Sequence, residues 1–430
     1  MTTVAVASTP GPSGPLDLRH RLETVDIVRG FALFGVLLVN MMNFGALAPI
    51  WTDHLNELAL WGQRFFFEMK SWRLLSFLFG FGFALQMLSA EARGVRFVPF
   101  YLRRLGILYL MGAAQALFYL GDILMSYAQL GLLLMFLRHR APRTLLVVAA
   151  LLLLLLYPIG RAVGSTIVQM RSQNSETSAV ASTDANEEPR GTAYRLRPFT
   201  LDPHPTHPYA VGSFGEVMVY NAREFPRVHL PSLLGLRGAE SLPTFFAMFL
   251  LGLYVGRRGI FHDVAGHRTL IRRVLGWGLL LGLTGMTVDW VLRDVWRDPP
   301  VPVFTQLVGD LLWAYGATAL SFSYAAAIVL LVQQTTWKRI LSPLGALGRM
   351  ALSMYLLQTL MFTTLFYGYG LGQYFKVGPA GVFGYAVLFF AVQMVASVWW
   401  VRHFQFGPAE WFWRTLTYLK LQPIRSESSA

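Results

Sequence analysis

The first run that suggests chemistry is Asp26-Ile-Val-Arg29, followed eleven residues past Arg29 by Asn40. All three stand in an otherwise apolar stretch. Spacing of three lets Asp26 and Arg29 pair on one helix face. Eleven steps of about 100° make three turns plus a small remainder, so Arg29 and Asn40 share a face. They are then about 16 Å apart, at 1.5 Å per residue. Such a helix carries a fixed cation toward one membrane surface and an amide toward the other. The competing reading is an Arg that snorkels to headgroups and an Asn that bonds a neighbouring helix.

Further polar residues interrupt later apolar runs. Arg103-Arg104 open one that carries Gln115 and reaches Gly121-Asp122. Gln115 and Asp122, seven apart, are expected on one face. Asp122 is either the N-cap of the next helix or a site carboxylate. Arg349 and Ser353, four apart, are expected to share a face, with Gln358 on the opposite side. Glu410 is placed to pair with Arg414 or with a basic residue of the bundle. Lys70 and Arg73 are interfacial anchors or face an outer cavity. Gly80 and Gly82 follow no strand, so they suit close helix contact rather than phosphate binding.

Histidines are few. His54 has Asp53 and Glu57 beside it and is the one candidate for a general base near the outer membrane surface. The alternative is a solvated loop histidine. His204 and His207, with Asp202, have chelating spacing. Pro203, Pro205 and Pro208 make that stretch an extended surface segment instead, and no metal site is expected.

The elements that must position these residues follow from composition. The chain of 430 residues is 54% hydrophobic and only 14% charged, against about a quarter charged in soluble domains. That excludes disorder, collagen, coiled coil and an ordinary soluble enzyme as the main architecture. There is no cysteine, hence no disulfide framework, thiolate metal site or cysteine nucleophile. The net charge of +13 does not signal nucleic acid, because the cations flank apolar runs and read as topology signals.

A spanning helix needs about 20 mostly apolar residues. About ten candidates occur, at 25–44, 72–90, 101–120, 122–137, 143–159, 242–255, 274–292, 311–331, 347–367 and 382–401. With the N-terminus inside, the cytoplasmic loops collect most Lys and Arg, including Arg93, Arg96, Arg138, Arg140, Arg143, Arg257, Arg258, Lys338 and Arg339. The expected fold is therefore an all-α polytopic membrane bundle of about ten helices with both termini cytoplasmic. Residues 1–20 read as a disordered tail, 21–165 as an N-terminal membrane half, 166–240 as a partly flexible outer loop, 241–425 as a C-terminal membrane half, and 426–430 as a second tail. Within the loop, Tyr194 to Glu240 holds enough aromatic residues to order in part, as an amphipathic helix against the outer mouth. Pro408 with Trp411 and Trp413 suggests an amphipathic interfacial helix.

Several ordered motifs resemble the YeiB-like family of bacterial membrane proteins. They are Asp26-Ile-Val-Arg29-Gly30 through Asn40, Ser76 to Gly82, Gly121-Asp122-Ile123-Leu124 with Tyr127, Gly348-Arg349-Met350-Ala351-Leu352 with Tyr355 and Gln358, and Gly407-Pro408-Ala409-Glu410-Trp411 with Trp413-Arg414. The resemblance covers about residues 20 to 420 but not the outer loop. The C-terminal half of that family is a domain of unknown function. The family is similar in turn to transmembrane acyltransferases, including lysosomal heparan-glucosaminide acetyltransferase, which pass an acyl group from cytoplasmic acyl-CoA across the membrane. The resemblance implies no tightly bound cofactor, acyl-CoA as co-substrate, and a glycan or small-molecule envelope acceptor. It implies a bacterial inner (plasma) membrane location.

In that reading Arg29, Arg103, Arg104 and Arg349 would attract the phosphates of acyl-CoA. Asn40 would hydrogen-bond the thioester carbonyl or oxyanion, His54 would take a proton from the acceptor, and Asp122 would orient a partner. Asp26, Gln115, Gln358 and Glu410 would complete the binding surface. Two departures stand out: Asn40 replaces the histidine of the envelope-glycan branch, and Gln115 stands where YeiB-like relatives often have histidine. A transporter of an anionic or hydrophobic solute, and a noncatalytic scaffold with a docking outer loop, are the alternatives.

Overall fold

The structure is a computed structural model that describes residues 23–44, 51–94, 96–160, 206–233, 242–292 and 303–425. The proposed tails at 1–20 and 426–430, the polar stretch Ser172 to Arg190, and His204 with Asp202 lie outside these residues. Among the described residues the regular elements are helices, with a single bridge between Phe404 and Arg425.

All ten expected apolar runs coincide with helices. They are α1 (Glu23–Met42), α3 (Lys70–Ala92), α4 (Phe97–Ala116), α5 (Leu124–Leu137), α6 (Pro142–Leu151, continued by a π turn Leu152–Leu156), α9 (Leu242–Arg257), α10 (Arg268–Trp290), α11 (Val303–Leu331), α13 (Ala351–Phe366) and α14 (Pro379–His403). Among the described residues, five spans are long and apolar enough to cross a bilayer by themselves, and a sixth if the bent pair α12 (Thr335–Arg349) and α13 counts as one. The difference from ten has a physical cause. Helices α5 and α9 are apolar but only 14 and 16 residues long. Helices α4 and α10 begin among arginines, which lowers their mean hydropathy.

Two elements depart from the expected boundaries. The first outer connection forms α2 (His54–Phe66), which Asp53 caps by accepting from the Asn56 backbone N–H at 3.1 Å. The expected span 347–367 is broken: α12 ends at Arg349, and α13 starts at Ala351 after a 79° bend. Arg349 and Ser353 therefore do not share a helix face. Two further helices, α7 (Pro208–Val211) and α8 (Phe214–Leu233), fall within the connection at 166–240. They dock on the bundle as expected for an ordered part of that loop. Tyr209 stacks on Tyr367 with ring centroids 4.4 Å apart, and Asn221 Nδ2 donates to the Leu117 carbonyl at 2.8 Å. The last helix is α15 (Pro408–Tyr418).

Small residues set the closest helix approaches, as apolar helices in lipid require. A Cβ at Gly80 of α3 would collide with the Phe249 carbonyl of α9, and one at Gly252 with the Phe77 carbonyl. Helices α1 and α12 meet in the same way, Gly30 against Leu344 and Gly348 against the Asp26 carbonyl. Gly82 behaves differently from expectation: no atom lies within 4 Å of a Cβ placed there.

Candidate functional site

The space beside Gly82 is part of a cavity of about 350 Å³. It lies among α1, α3, α4, α5, the α12–α13 break and α15. One end is rich in charge: Asp26, Arg29, Arg104, Arg349, Glu410 and Arg414 line it. The deeper walls are apolar and aromatic, with Leu75, Leu78, Phe79 and Phe83 from α3 and Tyr127 from α5.

The charged end is built on the helix break. Arg29 Nη1 donates to Asp26 Oδ1 at 2.7 Å, the intrahelical pair expected from the spacing of three. It also donates to the Gly348 carbonyl in the last turn of α12 at 3.2 Å. A cation at a helix C-terminus meets the negative end of the dipole. The opposite pole is matched at α13. Glu410 Oε1 accepts from the Leu352 N–H at 2.6 Å and the Ser353 N–H at 3.2 Å. Its Oε2 accepts from Ser353 Oγ at 2.5 Å, and Ser353 Oγ accepts from the Ala409 N–H at 2.9 Å. Glu410 thus serves as the N-terminal cap of α13 across a sequence gap of nearly sixty residues, rather than being set aside for Arg414 as its helical spacing suggests. Both stumps of the broken helix are held, one by α1 and one by α15.

Arg104 and Arg414 are held by aromatic faces. The Arg104 guanidinium lies 3.5 Å from the Trp413 ring centroid, and Trp413 Nε1 donates to the Arg104 carbonyl at 2.9 Å. The Arg414 guanidinium lies 4.4 Å from the Phe406 centroid. These contacts fix α15 as one wall of the cavity. Four guanidinium groups outnumber two carboxylates there, so the mouth favours anions.

At the deeper end Tyr355 lines the cavity, and its hydroxyl donates to Asp122 Oδ1 at 3.4 Å. Asp122 stands behind that wall and is 7% exposed. Its Oδ2 accepts from the Met125 N–H at 3.0 Å, so it caps the start of α5. The expectation that Gln115 and Asp122 share a helix face is corrected, because α4 ends at Ala116 between them.

The structure gathers Asp26, Arg29, Arg104, Arg349 and Glu410 at one cavity. The other candidates lie elsewhere. Arg103 points away from the cavity, and its Nη1 donates to the Thr417 carbonyl at 2.9 Å. Gln115 Nε2 donates to Thr359 Oγ1 at 2.7 Å, and Gln358 Nε2 to Gln393 Oε1 at 3.0 Å, as interhelical bonds. Asn40 is buried farther along α1, outside the cavity lining. His54 is the exposed first residue of α2, also away from the cavity. Beside it, the Asn56 side chain and backbone N–H hold the Asp53 carboxyl below its ordinary range. His207 is engaged by its neighbours, with Nδ1 accepting from the Tyr209 N–H at 3.1 Å and Nε2 3.2 Å from the Tyr220 hydroxyl. No group of three potential metal ligands occurs among the described residues.

Among the cavity residues absent from the expected site are Tyr355, Trp413 and Arg414. The last two had a legible signal, since they follow Glu410 at three and four residues on an amphipathic helix. Tyr355 stood in the motif shared with the YeiB-like family, but its spacing in an apolar helix rich in aromatic residues did not mark it as a site residue.

Comparison with known proteins agrees with this architecture of motifs. Residues 255–420 match the family described as protein of unknown function (DUF418). The chain is 32% identical to the uncharacterized protein YxaH of Bacillus subtilis (strain 168), over 96% of its own length and 98% of that protein. It is 28% identical to the uncharacterized protein YeiB of Escherichia coli (strain K12), over 95% and 100%. An uncharacterized 39.9 kDa protein from the amylase 3′ region of Bacillus acidopullulyticus is 26% identical over 97% and 99%. No solved structure matches. Near-complete coverage at this identity, with the DUF418 match across the helix break and α15, makes the chain a member of the YeiB-like DUF418 family.

Proposed function

We propose that the protein is a transmembrane acyltransferase that takes its acyl group from acyl-CoA at the arginine-lined cavity and delivers it to an envelope acceptor on the other side. One observation carries the reading. Arg29, Arg104, Arg349 and Arg414 surround the mouth of a cavity whose depth is apolar. An anionic head with an apolar or thioester-bearing tail matches both ends at once. The volume lies in the range of about 300–1,000 Å³ usual for small-molecule sites, enough for the reactive end of the donor with its phosphates at the mouth. Phosphates would displace Arg104 and Arg414 little, since aromatic faces already hold both. In this reading the charged end is cytoplasmic, both termini lie on that side, and the membrane is the bacterial inner membrane.

Within the cavity, Tyr355 backed by Asp122 is the hydroxyl placed to hydrogen-bond a thioester carbonyl. Asn40 and His54 would act on the acceptor, farther along α1 and beyond it.

A second reading, export of an anionic amphiphile, is favoured by one fact: neither Asn40 nor His54 lines the cavity. Binding of acetyl-CoA to detergent-purified protein, beside Arg29→Ala and Arg349→Ala, tests the donor site. Saturable binding that weakens about tenfold in each variant and falls with salt is expected. No binding to folded protein at millimolar ligand removes the donor reading. Release of CoA in the presence of envelope extract then separates transfer from export, which leaves acyl-CoA intact.

A further inference from the structure

A second cationic centre lies at the end of α3 away from the cavity's charged mouth, and neither of its basic residues lines the cavity. Two basic side chains occupy the first turn of that helix, and both are buried: Lys70 is 0% exposed and Arg73 1%. Arg73 stands two residues before Leu75, at the deep end of the cavity wall, and about 20 Å along the helix from Gln86, which lies toward the charged mouth, at 1.5 Å per residue. The two cations are treated differently by their surroundings. Lys70 Nζ donates to the Arg64 carbonyl at 2.9 Å. Arg73 has no such compensation. Its Nε and Nη1 are buried and meet no acceptor among the described residues.

The neighbours add donors. The Arg73 guanidinium lies 5.8 Å from the ring centroid of Trp313. Trp313 Nε1 is also buried without an acceptor, and so is Trp61 Nε1. Trp61 and Trp313 pack on the same small cluster of Phe65, Met286, Ala317 and Leu320. Indole nitrogen only donates, and so does guanidinium. Buried polar groups are ordinarily satisfied, and a charge within a membrane bundle is kept where a partner or a function offsets its cost. Here three side chains offer donors and supply no acceptor.

We propose that Arg73, with Trp313 beside it, binds one monoanion, a halide or a carboxylate, inside the bundle at the end of α3 opposite the cavity's charged mouth. Acceptor atoms on the ligand complete the donor set, a single negative charge balances the guanidinium, and the apolar cluster favours a weakly hydrated ion over a phosphate dianion. The assignment does not rest on the donor reading of the cavity.

The test uses the full chain in detergent, in sodium gluconate at constant ionic strength. It is titrated with sodium chloride and, separately, sodium acetate, following melting temperature and tryptophan emission. Saturable stabilisation by at least one anion is expected. The apparent dissociation constant should rise about tenfold or more in Arg73→Met and several-fold in Trp313→Phe, which keeps the ring and removes the N–H. A response to chloride alone identifies an inorganic ion. A response to acetate identifies a carboxylate, such as that of a larger ligand. Arg29→Met should keep the response while altering acetyl-CoA binding, so the two sites fail or stand separately. The absence of a saturable response in the unaltered protein, or an unchanged response in Trp313→Phe and Arg73→Met, overturns the proposal. If Arg73→Met does not fold, Trp313→Phe alone decides.

Discussion

Glu410 shows how one side chain holds the charged end of the cavity in shape. It sits on an amphipathic helix at the edge of the bundle, yet its carboxylate takes two backbone N–H groups and one hydroxyl of α13. Without it those donors lose their acceptor at a buried helix start. Glu410→Ala should destabilise the protein by about 1–3 kcal/mol, and Glu410→Gln by less, because an amide oxygen still accepts. Melting in detergent checks the order. A larger loss in Glu410→Gln than in Glu410→Ala would contradict the capping role. Arg29 and Glu410 act as a complementary pair, one at each stump of the broken helix, so the anion-attracting mouth also depends on its own carboxylates.

At the scale of elements, backbone contact between helices is the controlling feature. Gly80 and Gly82 are two residues apart on α3 with opposite surroundings. A side chain at Gly80 strikes the α9 backbone, whereas one at Gly82 enters open space beside the cavity. Gly80→Val should cost about 1–3 kcal/mol through overpacking. Gly82→Val should leave the melting temperature near that of the unaltered protein and weaken acetyl-CoA binding by narrowing the cavity. Equal destabilisation by both changes would contradict the packing described. A pH effect belongs to α8. Ser213 N–H and Oγ donate to Glu216 Oε2 at 2.7 and 2.8 Å and hold its carboxyl below the ordinary value of 4.5. A depressed carboxyl stabilises the folded form above its unfolded pKa, and that stability is lost as pH falls through the folded pKa. Protection of the amides at the start of α8, relative to their intrinsic exchange rate, should therefore fall below about pH 4.5, and Glu216→Gln should remove that fall.

The whole molecule presents an apolar exterior along several helices. On α14, Leu388, Val392, Val395 and Trp399 recur at helical spacing, and all four are more than half exposed. A lipid-facing surface of this kind agrees with the membrane character of the chain. The proposed topology places α2 outside and α12 inside. The absence of cysteine makes this testable directly. In intact inverted and right-side-out vesicles, a membrane-impermeant maleimide should label His54→Cys and Lys338→Cys from opposite faces, since both positions are exposed. Labelling of both from one face would overturn the orientation.

Much of this was legible in the residues. Apolar length and charge placement were enough to find every main helix, because hydropathy is a local property and lipid demands it of each segment separately. The Asp26–Arg29 pair and the capping by Asp122 were readable too, since both partners lie within one helical turn. The helix break at Met350, the capping of α13 by Glu410, and the seating of Arg104 on Trp413 were not. Each joins residues far apart in sequence, through a bend and a docking angle that no short window encodes. The same holds for the cavity. Four arginines from α1, α4, α12 and α15 become one anion-attracting mouth only when those helices pack, while Arg103, adjacent in sequence to Arg104, is turned away by a single helical step of about 100°.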